Sequence, residues 1–292
     1  MNEFDLIRDY FTWPIKDSSV TLGVGDDAAL FSLEQGYQLV TTTDTLTEGV
    51  HFSASTPAKD IAHKSLAVNL SDIAAMGAKA KYFTLALTLP KIDKSWLQEF
   101  SDSLKQLSGH YEVSLIGGDT TRGPLNITIT MFGIVENSKA MKRSGARPGD
   151  GVYVSGTIGD AGFCFWKLSN GLIPSNQELK RLNCPIPRVE LGLVLKNLAS
   201  ACIDVSDGLE QDLSHILKAS SVGAVIEVEK IPISEALLGH IKDTNDWSIP
   251  LCGGDDYELC FTVPEDNEEA LKMVSESCNV NITRIGVVSE SL

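Results

Sequence analysis

The chain has 292 residues, with 24 Lys and Arg against 39 Asp and Glu, a formal charge of −15. That balance disfavours nucleic-acid backbones and anionic membranes, which call for a positive surface, and the 43% apolar content excludes a disordered chain. No apolar run reaches the roughly 18 residues of a membrane span, and Met1-Asn2-Glu3-Phe4-Asp5 is not a basic segment leading into an apolar one, so the cytoplasm is the expected location.

In chain order, the pattern predicts a strand at 38–43, a helix at 57–76 stopped by Gly77, and a strand at 82–89. A helix at 94–111 follows, with Leu97, Phe100, Leu104, Leu107 and Tyr111 on one stripe. Short strand 113–116 precedes an alternating strand at 126–135, with Ile127, Ile129, Met131 and Gly133 on one face. Residues 138–150 are basic and carry Arg143-Ser144-Gly145-Ala146-Arg147-Pro148-Gly149-Asp150, which marks a junction between domains at 1–137 and 151–292. Beyond it come strand 152–155, helices 160–168 and 188–198, strand 201–205, helix 209–218, strand 224–228, strand 257–263, helix 265–277 and strand 282–288. Strands and helices intermix in both halves, so the expected fold class is α/β (α+β), as two mixed domains. Cys164, Cys184, Cys202, Cys252, Cys260 and Cys278 include no Cys-x-x-Cys pair and read as buried free thiols.

Aspartates gather at the strand ends, in Gly25-Asp26-Asp27, Thr42-Thr43-Asp44, Asn69-Leu70-Ser71-Asp72, Gly117-Gly118-Asp119-Thr120-Thr121 and Asp204-Val205-Ser206-Asp207-Gly208; a sixth block is Gly253-Gly254-Asp255-Asp256-Tyr257-Glu258. Carboxylates that converge stay ionised together only when cations neutralise them. Oxygen ligands without His or Cys select hard cations, Mg²⁺ above all, which shares its remaining positions with water and phosphates. The first reading is a magnesium-nucleotide enzyme.

Each block also has a plainer reading. Gly25-Asp26-Asp27 suits a turn, Thr42-Thr43-Asp44 a solvated strand end, and Ser206 or Asp207 a helix N-cap. Asp72 shares a helix face with Asn69 and Ser65, a polar notch in an apolar helix; its plainer reading is a partly exposed acid near the helix end. Gly117-Gly118 invites close approach of a ligand to the backbone. Gly156-Thr157-Ile158-Gly159-Asp160-Ala161-Gly162 reads better as a tight turn than as an anion site. There is no P-loop and no Gly-x-Ser-x-Gly elbow, and Gly23-Val24-Gly25-Asp26-Asp27-Ala28 is a weak dinucleotide match.

Taken in order, these blocks resemble the thiamine-monophosphate kinase family, whose superfamily includes aminoimidazole ribonucleotide synthetase and selenophosphate synthetase. The likeness runs from about residue 3 to 288 and is carried by Gly25-Asp26-Asp27-Ala28, Thr43-Asp44-Thr45-Leu46-Thr47-Glu48-Gly49-Val50-His51-Phe52, Asn69 to Ala78, Gly117 to Gly123, and Asp204 to Leu209. It implies two α/β domains, with the N-terminal sheets of two subunits joined in a homodimer. The implied reaction is direct phosphorylation of thiamine monophosphate by ATP to thiamine diphosphate, with several Mg²⁺ ions and no phosphoenzyme. It further implies Asp27, Thr42, Thr43, Asp44, Asp72, Asp119, Asp204 and Asp207 as metal ligands, direct or through water, with Asp72, Asp119 and Asp207 positioning metal for catalysis. Gly118, Asp119, Arg143 and Ser206 match nucleotide positions; His51 and Asp255 match substrate positions. Asp255 stands where the family usually has Glu, and the family continues past 288 with a strand and an aromatic residue at the thiamine site. Alternatives are another ATP-dependent enzyme of the superfamily and a non-catalytic Mg-nucleotide-binding relative.

Overall fold

The computed structural model describes residues 3–290. It divides into two compact units, Met1–Ile73 with Ala78–Ser138, and Ala74–Gly77 with Lys139–Leu292. Both are mixed α/β. Among the described residues no helix is long and apolar enough to cross a membrane.

The first unit runs α1 (Glu3–Leu6), β1 (Val20–Leu22), β2 (Leu30–Phe31), β3 (Tyr37–Thr47), α2 (Ala58–Ala75), β4 (Lys79–Leu89), α3 (Lys94–His110), β5 (Ser114–Arg122) and β6 (Asn126–Glu136). Its main sheet has the order β3-β6-β4-β5. β6 is antiparallel to both neighbours, while β5 runs parallel to β4, the pairing that a crossover through α3 permits. Ile127, Ile129, Met131, Gly133 and Val135 are buried, and the threonines and Phe132 between them are half-buried, so one sheet face is core. α2 is apolar nearly all round, with Leu66, Ala67, Leu70, Ile73 and Ala74 fully buried, as expected of an interior helix. It packs so closely that a Cβ on Gly133 would lie 3.1 Å from Ile73. Asp93 caps α3 by accepting the amides of Ser95 and Trp96.

The second unit runs β7 (Gly151–Ser155), α4 (Asp160–Ser169), α5 (Asn176–Asn183), α6 (Val189–Leu195), β8 (Ala201–Asp204), α7 (Leu209–Ser220), β9 (Gly223–Ile226), α8 (Glu235–Thr244), α9 (Ser248–Cys252), β10 (Leu259–Val263), α10 (Ala270–Cys278) and β11 (Ile282–Ser289). The sheet order is β8-β10-β7-β11-β9, antiparallel throughout. Period-two alternation feeds two cores. Val152, Val154, Ile203 and Cys260 pack with Leu209, Leu213 and Ile216 of α7. Tyr153, Cys202, Leu259 and Phe261 pack with Leu191 and Leu195 of α6 and Leu271 and Val274 of α10. The cross-strand register brings Ser155, Asp204 and Leu259 to one end of the sheet, so the loops 156–159, 205–208 and 253–258 gather there.

Several elements depart from the sequence pattern. β5 does not stop at Ile116 but continues through both glycines to Arg122, because pairing with β4 outweighs glycine's weak strand preference. α5 was not expected, although Ser175 and Glu178 form a complete capping box. α8, capped by Ser234, and α9 were also missed. The last helix begins at Ala270, after a 3₁₀ turn over Glu265–Asn267. All six cysteines are free thiols; Cys164, Cys202 and Cys260 are buried and Cys252 is exposed.

Candidate active site

Strand alternation sorts the threonine–aspartate block of the first unit. Thr42 and Asp44 are in register with Met131 and Ile129, buried residues of the core face. They therefore point toward α2, where the Thr42 hydroxyl donates to Asp72 Oδ2 at 2.5 Å. Asp44 Oδ2 is buried and has no hydrogen-bond partner. Desolvation, and then the charge of Asp72, push the Asp44 carboxyl up to about 6. Two carboxylates thus share one partly dry pocket.

Thr43 projects to the other face, where its hydroxyl pairs with that of Thr130 at 2.9 Å, and Thr45 does the same with Thr128. The structure therefore separates the Thr43 side chain from Thr42, Asp44 and Asp72. Asp27 is exposed in the loop after β1, and its amide donates to Asp26 Oδ1. Asp119 is exposed on edge strand β5, in register with Ala86. At Gly118, a Cβ would lie 1.9 Å from the Leu85 carbonyl oxygen, so the glycine is needed by the approach of two strands. His51 is exposed; its Nδ1 accepts the Thr47 amide at 3.0 Å, which leaves Nε2 to carry the proton of the neutral ring.

In the second unit, two blocks are joined by backbone hydrogen bonds. Asp255 donates its amide to the Ser206 carbonyl, Tyr257 to that of Val205, and Val205 to that of Glu258. Asp204, Ser206, Asp207 and Asp255 are thereby brought to one sheet end. Asp204 is buried and Asp207 exposed. Neither Ser206 nor Asp207 caps α7, so the plainer reading of this block fails: the N-cap is Gly208. The amides of Ser206, Asp207 and Gly208 all donate to Oδ2 of Asp212, at 3.0, 3.0 and 3.2 Å. Asp212 is buried in the first turn of the helix, and no motif of the sequence singles it out. Arg143 is exposed, and its carbonyl accepts the Ser220 hydroxyl.

The remaining acids of the sixth block serve the scaffold. Asp256 accepts the amides of Gly159 and Ala161 and so holds the start of α4, confirming the glycine-rich segment as a turn. Burial pushes the Asp256 carboxyl up to about 7. Glu258 is fully buried beneath Arg188. Asp255, by contrast, is partly exposed and accepts the Tyr257 hydroxyl at 3.1 Å.

Among the described residues, no three His, Cys, Asp or Glu side chains form a closed metal cluster. What the structure presents is the Asp44–Asp72 pair with a buried oxygen unpaired, a donor set that fits a hard cation.

Comparison with known proteins gives the following. Residues 25–135 match the family model of the AIR synthase related protein N-terminal domain, and 147–291 match that of the C-terminal domain. The chain is 46% identical to the thiamine-monophosphate kinase of Salmonella typhimurium, over 99% of this chain and 91% of the relative. It is 42% identical to the crystal structure of thiamine-monophosphate kinase from Stenotrophomonas maltophilia K279a, with a TM-score of 0.91, covering 98% of this chain and 93% of that one. The structure of AaThiL complexed with AMPPCP and TMP is 29% identical with a TM-score of 0.80, over 99% of this chain and 90% of that one.

Proposed function

Because the chain belongs to the thiamine-monophosphate kinase family of AIR synthase related proteins, we propose that it transfers the γ-phosphoryl group of ATP to thiamine monophosphate, forming ADP and thiamine diphosphate. The observation that carries this reading is the Asp44–Asp72 pair, two carboxylates in one desolvated pocket with an oxygen of Asp44 unpaired. Phosphoryl transfer asks a protein for positioning and charge neutralisation rather than covalent chemistry. Here donor and acceptor are both phosphates, and an acidic chain can bring them together only through cations.

Bound Mg²⁺ supplies that neutralisation. Asp44, Asp72 and Thr42 would hold it in the first unit, with Asp27 and Asp119 as further ligands, the latter also toward nucleotide together with Gly118; Thr43, whose side chain lies on the other face, would reach it only through its main chain. In the second unit Asp204 and Asp207 take the same role, while Ser206 and Arg143 face the nucleotide; Arg143 offers a guanidinium suited to phosphate. His51 and Asp255 belong to the thiamine pocket. Burial and the charge of Asp72 raise the Asp44 carboxyl, and a bound cation would favour its ionised form. We place the enzyme in the cytoplasm as a homodimer.

The test is ADP release from Mg-ATP with thiamine monophosphate, free thiamine or no acceptor, with ³¹P NMR of the product. Acceptor-dependent ADP and a new diphosphate with thiamine monophosphate alone are expected. ADP formation that ignores the acceptor, or prefers free thiamine, defeats the assignment.

A further inference from the structure

Among the described residues, two buried side-chain oxygens have no hydrogen-bond partner: Oδ2 of Asp44 and Oδ1 of Asn69. Asn69 is 0% exposed. Its amide is held in place, because Nδ2 donates to the Ser65 carbonyl at 3.0 Å. A buried acceptor left unpaired carries the full penalty of its lost hydration, so a residue kept in that state calls for a ligand.

Two contacts define how α2 lies along β3. Near the start of the helix, Lys64 donates to the carbonyl of His51, just past the end of β3, at 3.3 Å. Two turns later, Asp72 meets Thr42, back inside the strand. Helix and strand therefore run in opposite directions. Asn69 stands three residues before Asp72, about 4.5 Å toward the helix N-terminus. Asp44 stands two residues after Thr42, about 6.6 Å toward the strand C-terminus and on the same face. Both displacements point the same way, which places Asn69 and Asp44 on the same side of the Asp72–Thr42 contact.

We propose that Asn69 is a further ligand of the cation site of Asp44 and Asp72, direct or through one water; this rests on the magnesium-dependent reading above. The chemistry suits the place. Asp44 and Asp72 already repel each other, and a third carboxylate would deepen that repulsion in the metal-free protein. An amide oxygen adds a hard donor without charge, a type that divalent cations accept readily.

The test reads metal binding rather than turnover. The full chain is melted across a MgCl₂ series without nucleotide, and MnCl₂ binding is followed by loss of the free Mn²⁺ EPR signal. Asn69→Leu keeps the branching at Cγ and removes the oxygen. The expected result is a metal-free melting temperature at or above wild type, with metal affinity weakened roughly tenfold. Asn69→Asp covers the case in which that variant does not fold. It is expected to melt lower without metal and to recover more than wild type as Mg²⁺ is added. Variants that melt lower by the same amount at every Mg²⁺ concentration, with Mn²⁺ affinity unchanged, overturn the proposal, as does a wild-type chain that binds no Mn²⁺. If Mn²⁺ binds and depends on Asn69 as described, yet thiamine monophosphate elicits no ADP, the substrate assignment fails and the ligand assignment stands.

Discussion

Arg188 holds Glu258 with both arms of its guanidinium, Nε to Oε2 at 2.6 Å and Nη2 to Oε1 at 2.5 Å. The Ser155 hydroxyl adds a third bond to the same carboxylate at 2.6 Å. Glu258 sits just before β10, beside the loop that carries Asp255, so this pair anchors a segment proposed for the substrate. Arg188→Met would leave a buried carboxylate short of its main partner. We expect a loss of about 3–5 kcal/mol in urea unfolding, and a smaller loss in the double variant with Glu258→Met. A single-variant loss below about 1 kcal/mol would show that the pair does not anchor the loop.

Asp212 shapes the turn on which Ser206 and Asp207 stand. Asp212→Ala strips the acceptor from three amides at once. The expected cost is about 1–3 kcal/mol of stability, together with a fall in kcat of roughly 10–100-fold from misplacement of the turn. The Mg²⁺ concentration for half-maximal rate should rise as well. A variant that loses stability but keeps kcat and its Mg²⁺ dependence would confine Asp212 to the scaffold.

A pH dependence follows from Asp256. Its carboxyl is raised to about 7 by burial, with the Gly159 amide and Arg181 opposing. Between about pH 4 and 7 the folded protein keeps a proton that the unfolded chain has released, so this group's contribution to stability falls as pH rises through that window. Asp256→Asn retains an acceptor for the Gly159 amide and removes the titration. The stability of the variant relative to wild type should therefore climb by a few kcal/mol from pH 4 to pH 7 and level off above it. Parallel stability curves for the two proteins would exclude the effect.

Asp72→Asn should leave the chain folded and lower turnover by about 10²–10³. Asp72 accepts the Thr42 hydroxyl, a bond that an amide oxygen also accepts, so circular dichroism and melting without metal should change little. The charge that holds cations opposite Asp44 is what disappears. Wild-type turnover at low Mg²⁺ would remove Asp72 from the site.

Much of this was legible in the residues. The periodicity of 94–111 corresponds to α3, and the alternation of 126–135 to β6, because both rest on burying one face against a core. The acidic blocks stood out because carboxylates at strand ends conflict with ordinary core chemistry, and the pairing of Thr42 with Asp72 explains two of them. Tertiary structure decided the rest. Alternation on a strand assigns faces only once the register with β6 is known, and that register is what separates Thr43 from Thr42 and Asp44. Gly118 lies against the Leu85 carbonyl, a neighbour remote in sequence that requires a glycine there. Asp212 acquires its role only because the loop before α7 folds back over its side chain. Asp256 and Glu258 read as members of one motif with Asp255, yet burial gives them partners on α4 and α6. A sequence records which groups are available and how they repeat, while partners across a fold are set by long-range packing that no local window contains.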